Sequence, residues 1–286
     1  MVKMSIGALF DNAKAVLKVN GIENYRQEAF YIIEKVTGFT KHELSIKGNM
    51  PIELDCVKQV DALLDRRLSG EPLQYILGSW EFYGLNFNVG EGVLIPRQDT
   101  ETLVQTAIEL LKDKDHPIIA DLCSGSGCIA ISLEKNIPDS KIFAIELSDD
   151  AIPYLIKNIS QNSSSVKLIR GDVCDKITLD NLPQLDMVVA NPPYLNDEDM
   201  NNLQKEVTFE PRMALHAENN GLFFYKAITA LWKNKLALGG ILAFECGMNQ
   251  HEAVSNILKD NDFENICFKE DLCGIIRVVY ATKNSI

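Results

Sequence analysis

From Pro117 to the C-terminus, short apolar runs alternate with amphipathic stretches of helical length, and no other feature constrains the fold as much. Ile118–Asp121, Ile142–Glu146, Val166–Arg170 and Asp186–Ala190 read as buried strands. A glycine loop and a helix follow the first, and a helix from Asp149 follows the second. A helix over Leu222–Leu236 leads into a strand over Ile241–Cys246. Apolar strands alternating with helices imply an open parallel sheet covered on both faces. The tail breaks that rhythm. Phe263–Lys269 and Ile275–Thr282 are joined by little more than Asp271-Leu272-Cys273-Gly274. That is too short for a parallel crossover, so the last pair is expected to be antiparallel.

The residues before this region carry helical spacing instead. Ile6, Leu9, Phe10, Ala13, Val16 and Leu17 share one helical face. Tyr25, Ala29, Ile32, Ile33 and Val36 share another, closed by Gly38. Thr40 and Glu43 have the spacing of a capping box. Val57, Val60, Leu63, Leu64 and Leu68 form a last stripe before Gly70. Trp80–Val89, aromatic on either side of Gly84, reads as a β-hairpin. A helix around Leu103, Ala107, Leu110 and Leu111 then leads to the first strand. The expected division is a helical domain over 1–79, a hairpin linker over 80–98 and an α/β domain over 99–286.

Charge narrows the choice of partner. The net charge is −12, and residues 1–84 carry 10 Lys and Arg against 11 Asp and Glu, leaving 18 against 29 in the rest. A protein that holds nucleic acid needs basic surface to neutralise phosphates, so direct nucleic-acid binding is not expected. No apolar run approaches the ~20 residues of a membrane helix. Met1–Phe10 lacks the basic start and apolar middle of a signal peptide, so a cytoplasmic location is expected. The seven cysteines are scattered without a C-x-x-C pair and the four histidines do not cluster. Neither a metal site nor a disulfide framework is expected.

The glycine loop reads Asp121-Leu122-Cys123-Ser124-Gly125-Ser126-Gly127-Cys128-Ile129-Ala130 and lies where a strand passes into a helix. Gly125 and Gly127 allow a tight turn and close approach of a ligand to the backbone. Alone, the pattern also fits a dinucleotide loop or a turn that binds nothing. Asp121 weighs against a dinucleotide, because a carboxylate there repels a pyrophosphate resting on the helix N-terminus. S-adenosylmethionine has no phosphate; it carries an ammonium and a sulfonium, which an acid suits. Glu146 ends the next strand, where an acid can accept both ribose hydroxyls.

Asn191-Pro192-Pro193-Tyr194 follows the apolar strand Met187-Val188-Val189-Ala190. Strand ends of open α/β sheets are where ligands bind. The Asn191 side-chain oxygen and the Pro192 carbonyl can each accept a hydrogen bond from one NH2 group. Tyr194 offers a flat face to a planar amide or base. Acceptors on both N–H groups raise the electron density on nitrogen and stabilise the positive charge that grows there during methyl transfer. In isolation the tetrapeptide also fits a turn that merely ends a strand. Following the loop and Glu146 in this order, it points to methylation of a planar amide or amino nitrogen.

These residues resemble the class I methyltransferases of the Asn-Pro-Pro-Tyr type. More closely, the chain is similar to the release factor glutamine methyltransferases, the PrmC/HemK family. The similarity takes in Glu71-Pro72-Leu73-Gln74-Tyr75-Ile76-Leu77-Gly78, Phe82-Tyr83-Gly84 and Leu94-Ile95-Pro96-Arg97 with Glu101. It continues in Phe209-Glu210-Pro211-Arg212, Gly221-Leu222, Glu245 with Gly247 and Gln250, and Asp271 with Gly274 and Arg277. The resemblance implies a Rossmann-like, seven-stranded domain behind a helical domain that docks substrate. It implies S-adenosylmethionine as methyl donor and class I peptide chain release factors as partners, methylated on the glutamine of a Gly-Gly-Gln motif.

By position, Asp121, Cys123, Ser124, Gly125, Ser126, Gly127 and Glu146 would hold the cofactor together with Asn191, and Asp172 and Val173 would border its adenine. Asn191, Pro192, Pro193 and Tyr194 would hold the glutamine. Cys123 stands where the family usually has glycine, and Glu146 where aspartate is common. Glu210 and Arg212 are expected to pair and brace the tetrapeptide. The rival readings are a ribosomal-protein glutamine methyltransferase, with the same site chemistry, and a DNA or RNA amino-group methyltransferase, which would flip a base onto Tyr194.

Overall fold

The structure is a computed structural model that describes residues 4–180 and 182–284. It divides into two compact units. The first is helical: α1 (Ile6–Val19), α2 (Tyr25–Thr37), α3 (Lys41–Ile46), α4 (Leu54–Leu68) and α5 (Leu73–Leu77). Ile6, Leu9, Ala13 and Leu17 of α1 are buried with Ala29, Ile32 and Ile33 of α2 and Val60 and Leu64 of α4. Gly38 ends α2 in the left-handed conformation, φ 70°. Thr40 and Glu43 cap α3 reciprocally, as their spacing predicts.

The helical spacing gave no sign of α5, which is only five residues long and lies between Pro72 and Gly78. The segment 205–209, far along the chain, also belongs to this unit. Arg67, only 4% exposed, forks onto Glu28 at 2.6 and 3.2 Å and also meets Glu206.

The second unit begins with a hairpin, β1 (Ser79–Phe82) and β2 (Leu85–Asn88), paired Phe82 to Leu85. Tyr83 and Gly84 both take positive φ, 50° and 73°, as a two-residue hairpin turn requires. Its other strands are β3 (Ile118–Leu122), β4 (Lys141–Glu146), β5 (Lys167–Arg170), β6 (Leu185–Ala190), β7 (Leu236–Glu245), β8 (Phe263–Glu270) and β9 (Ile276–Lys283). They form one sheet in the order β5-β4-β3-β6-β7-β9-β8, parallel from β5 to β7. β9 is antiparallel to both neighbours, as the short Asp271–Gly274 turn demands. The helices α6 (Glu101–Leu111), α7 (Cys128–Asn136) and α8 (Ile152–Gln161) cover one face with a core that includes Leu103, Ile131 and Leu155. Helices Phe223–Trp232 and His251–Asp260 cover the other, around Tyr225, Trp232 and Leu258.

Two helix boundaries differ from the sequence reading by three residues or more. The helix expected from Asp149 starts at Ile152, with Pro153 in its first turn, where a missing N–H does no harm. The helix expected to run through Leu236 stops at Trp232, whose indole N–H donates to the Val173 carbonyl at 2.8 Å. Leu236 instead opens β7. Leu185 pairs with Leu236 and Met187 with Ile241, so the intervening residues bulge out of register. A bulge scrambles the apolar alternation, so residues 236–240 do not read as strand.

Candidate active site

The central strand β3 lies between β4 and β6, so the chain leaves it to opposite sides in turn. This is the topological switch point, the place where open α/β sheets bind ligands at the carboxyl ends of their strands. Register fixes what meets there. Leu122 pairs with Ile145 and Ala190, Glu146 with Arg170, and Ala190 with Phe244. The glycine loop, Glu146, Asn191 and Glu245 therefore emerge along one edge. Beside them is a cavity lined from both sides of this edge, the kind of cleft in which small molecules bind.

The loop is held from below. Ser124 N–H donates to the Ile145 carbonyl at 3.1 Å and its hydroxyl to the Asp121 carbonyl at 2.8 Å. Gly127 caps α7 with φ 81°, and a Cβ there would come within 2.2 Å of Leu155. Cys123 itself has φ 57°, in the left-handed region that favours glycine. That is a physical reason for the family's usual glycine at this position.

Glu146, 8% exposed, is folded back on the loop. One oxygen accepts Gly125 N–H at 2.7 Å; the other accepts Leu147 and Ser148 N–H at 2.8 and 2.7 Å. Asp172 accepts Cys174 N–H at 2.8 Å. The cavity wall includes Cys123 through Ser126, Glu146, Asp172 and Val173 on one side, and Leu94 through Arg97, Thr100, Asn191, Pro193 and Phe224 on the other.

Four of the expected site residues lie off this wall: Gly127, which caps α7, and Asp121, Pro192 and Tyr194. Asp121 is fully buried beneath the loop, where its Oδ2 accepts Ala130 N–H at 3.2 Å and its Oδ1 has no partner among the described residues. Pro192 is buried behind Asn191. The Tyr194 ring packs against the core and against Gly247. The Tyr194 N–H donates to the Leu215 carbonyl at 3.2 Å, and the Tyr194 carbonyl accepts Gln250 Nε2 at 3.0 Å. A Cβ on Gly221 would strike that carbonyl at 2.1 Å, and Gly221 has φ 80°, so glycine is required there.

Glu210 does not pair with Arg212, which is exposed. It is buried and instead takes the Arg97 guanidinium and Ile95 N–H, the latter at 3.0 Å. The tetrapeptide is braced through backbone bonds to Leu215 rather than by a side-chain pair.

Asn191 donates from Nδ2 to the Thr100 hydroxyl at 3.2 Å. Neither Asn191 Oδ1 nor the Pro192 carbonyl accepts a hydrogen bond from the described residues. Thr100 in turn hydrogen-bonds the carboxylate of Glu245, which burial pushes up to about 7. Thr100 and Gln250 had no assigned part in the sequence reading. Gln250 appeared there only as a point of family likeness, and Thr100 lies 91 positions from Asn191 with no periodicity to mark it. Cys123 and Cys128 are raised by burial, so neither offers a thiolate at neutral pH. Among the described residues no cluster fit for a metal exists, and no helix is long and apolar enough to cross a membrane.

Burial also pushes the Asp121 carboxyl up to about 7, against the hydrogen bond from Ala130. An unfolded aspartate titrates at about 4. Between those values the native chain binds more protons than the unfolded one, so stability falls as pH rises through that window. Asp121→Asn keeps an acceptor for Ala130 and removes the charge. It is expected to raise the urea midpoint more at about pH 8 than at about pH 5. An equal change at both would show that Asp121 does not titrate there.

A seven-stranded sheet of this order, with a glycine loop at its switch point and an acid ending the adjacent strand, defines a class I methyltransferase. A family model described as the PrmC N-terminal domain matches residues 8–78, and one described as the methyltransferase small domain matches residues 98–222. A release factor glutamine methyltransferase from Fusobacterium nucleatum is 38% identical over 96% of this chain and 78% of that protein. One from Clostridium acetobutylicum is 32% identical over 99% of this chain and 100% of that protein. A solved methyltransferase from Pyrococcus furiosus is similar in fold, with a TM-score of 0.51 at 14% identity over 79% of this chain and 98% of that one. The chain belongs to the release factor glutamine methyltransferase family.

Proposed function

We propose that this chain transfers a methyl group from S-adenosylmethionine to the side-chain amide nitrogen of the glutamine in the Gly-Gly-Gln motif of class I release factors. One observation carries the reading. The Asn191 amide spends its NH2 on Thr100, which leaves Oδ1 as an acceptor for a substrate NH2. Family membership supplies the class of protein substrate.

The residues present fit the cofactor. The charged residues on the cavity wall are Glu146, Asp172 and Arg97, and Arg97 is neutralised by Glu210. Such a wall favours a cation and offers no partner to a pyrophosphate. Gly125, Ser126 and Glu146 would hold the amino-acid and ribose parts, and Asp172 and Val173 would border the adenine. Cys123, Ser124 and Gly127 shape the loop, and Asp121 steadies it from beneath. When bound, the cofactor supplies an electrophilic methyl on a sulfonium leaving group.

The chain's own part is to orient the acceptor. Asn191 Oδ1 and the Pro192 carbonyl take the two N–H groups, Pro193 bounds the amide on the cavity wall, and Tyr194 holds the tetrapeptide from behind. The nitrogen is then fixed for in-line attack, which removes much of the orientation barrier. The helical domain, 1–79, would dock the body of the release factor, and the hairpin over 80–98 would link it to the catalytic domain over 99–286. The setting expected for this reaction is the cytoplasm, with no membrane and no nucleic acid held directly.

The test offers labelled S-adenosylmethionine with four acceptors: an intact class I release factor, a short Gly-Gly-Gln peptide, a ribosomal protein mixture and DNA. Mass spectrometry should place one methyl on the release factor's glutamine, with the peptide a much poorer acceptor than the whole protein. Preferential labelling of ribosomal protein or DNA would overturn the assignment. Equal use of peptide and protein would remove the docking role.

A further inference from the structure

We propose that Thr100 is a positioning residue: its hydroxyl, turned by the buried carboxylate of Glu245, decides which end of the Asn191 amide faces the acceptor glutamine. The inference rests on Asn191 holding that glutamine. Thr100 closes the short 3₁₀ turn Gln98–Thr100 ahead of α6 and is 2% exposed. Glu245 ends β7 and is likewise 2% exposed. The pairing of Ala190 with Phe244 carries Asn191 and Glu245 out of the sheet side by side, with the Thr100 hydroxyl bonded to both.

The hydroxyl's single proton carries the argument. A threonine oxygen donates once and accepts through its lone pairs. In its ionised form the Glu245 carboxylate beside it can only accept, so it takes that proton. The oxygen is then free only to accept, and Asn191 must turn its NH2 toward it. Oδ1 is thereby left facing the acceptor. Without that claim on the proton, the hydroxyl could donate to Asn191 Oδ1 instead. The amide, turned end for end, would set NH2 against the substrate's own NH2, donor against donor.

The other charged groups around Glu245 are committed elsewhere. Arg277 binds Asp99 and Asp271, and Arg97 binds Glu210. Glu245 Oε2 has no hydrogen-bond partner among the described residues. A buried carboxylate with so little local compensation is expensive to keep, which is understandable if its task is to set a neighbouring hydroxyl.

The experiment compares Thr100→Val, Thr100→Ser, Glu245→Leu and Asn191→Ala in the full chain, with an intact release factor as acceptor. Thr100→Val keeps the shape and loses the hydroxyl. It should lower kcat about tenfold, the rate equivalent of a neutral hydrogen bond. KM for the release factor and calorimetric affinity for S-adenosylmethionine should each stay within about twofold of the parent, which also reports that the chain is folded. Thr100→Ser should restore most of the rate. Glu245→Leu, which leaves no acceptor for the Thr100 proton, should fall as Thr100→Val does, and the double variant no further, since the two residues act through one contact. Near-normal kcat in Thr100→Val beside an inactive Asn191→Ala overturns the role of Thr100 and leaves the proposed function standing. Equal losses in Thr100→Ser and Thr100→Val also overturn it, because packing and not the hydroxyl would then matter. Near-normal kcat in Asn191→Ala overturns the reading on which the inference rests.

Discussion

Asn191→Ala is expected to depress methyl-transfer turnover by ~10²-fold or more, the usual scale for one pre-aligned polar group at a reacting centre. An amide nitrogen is a poor nucleophile because its lone pair is delocalised into the carbonyl. Two acceptors, one on each N–H, pull that density back toward nitrogen and compensate the positive charge that grows as the N–C bond forms. Alanine removes one acceptor of the two and leaves the amide free to rotate about the other. The cofactor's main contacts are proposed to lie on the far wall, at Gly125, Glu146, Asp172 and Val173, and alanine disturbs none of them. Calorimetry should therefore find affinity for S-adenosylmethionine changed far less than the rate. Single-turnover kinetics with a release factor separates the chemical step from binding. A near-normal chemical step would take Asn191 out of the mechanism.

The strand ends were legible because apolar runs bounded by glycine, aspartate and proline mark where a parallel strand stops. Once the runs are placed in a parallel sheet, their ends must share an edge, so the meeting of the glycine loop, Glu146 and Asn191 follows almost directly. What surrounds them was less legible, for physical reasons. The Thr100 contact depends on a 3₁₀ turn packing over the end of β6, and nothing in residue spacing encodes it. Glu210 stands two residues from Arg212, an inviting pair, yet the chain folds Arg97 onto it from 113 positions away. A carboxylate buried beside Ile95 N–H takes the guanidinium that can reach it, and Arg212 points to solvent. Asp121 illustrates a different gap. Its charge type suits a cationic ligand, but the register of β3 sets it beneath the loop and off the cavity wall. Glu146 likewise holds more of the protein than residue type alone suggested, with three backbone N–H groups on its oxygens.

Changing the acceptor glutamine of the release factor should be as damaging as changing the enzyme. With glutamate in its place the acceptor has no NH2 to hold. Its carboxylate would face Asn191 Oδ1 and the Pro192 carbonyl, both acceptors, and a charge buried without a partner is strongly disfavoured. No methylation of the glutamate variant is expected. Asparagine tests geometry alone, because the amide is intact and the side chain is one methylene shorter. Held by the same two acceptors, its backbone would have to be drawn inward; left in register, its nitrogen falls more than about an ångström short of the line of attack, where a misplacement of ~1 Å already lowers the rate by about 10²-fold. The two glycines before the glutamine favour a thin loop that can enter a deep site, but they do not lengthen the side chain. Initial rates with the three release factors, read by mass spectrometry of the modified peptide, give the comparison. Rates for the asparagine variant within a few-fold of the parent would show that the site tolerates displacement of the amide, and the two-acceptor geometry at Asn191 and Pro192 could not then be what selects glutamine.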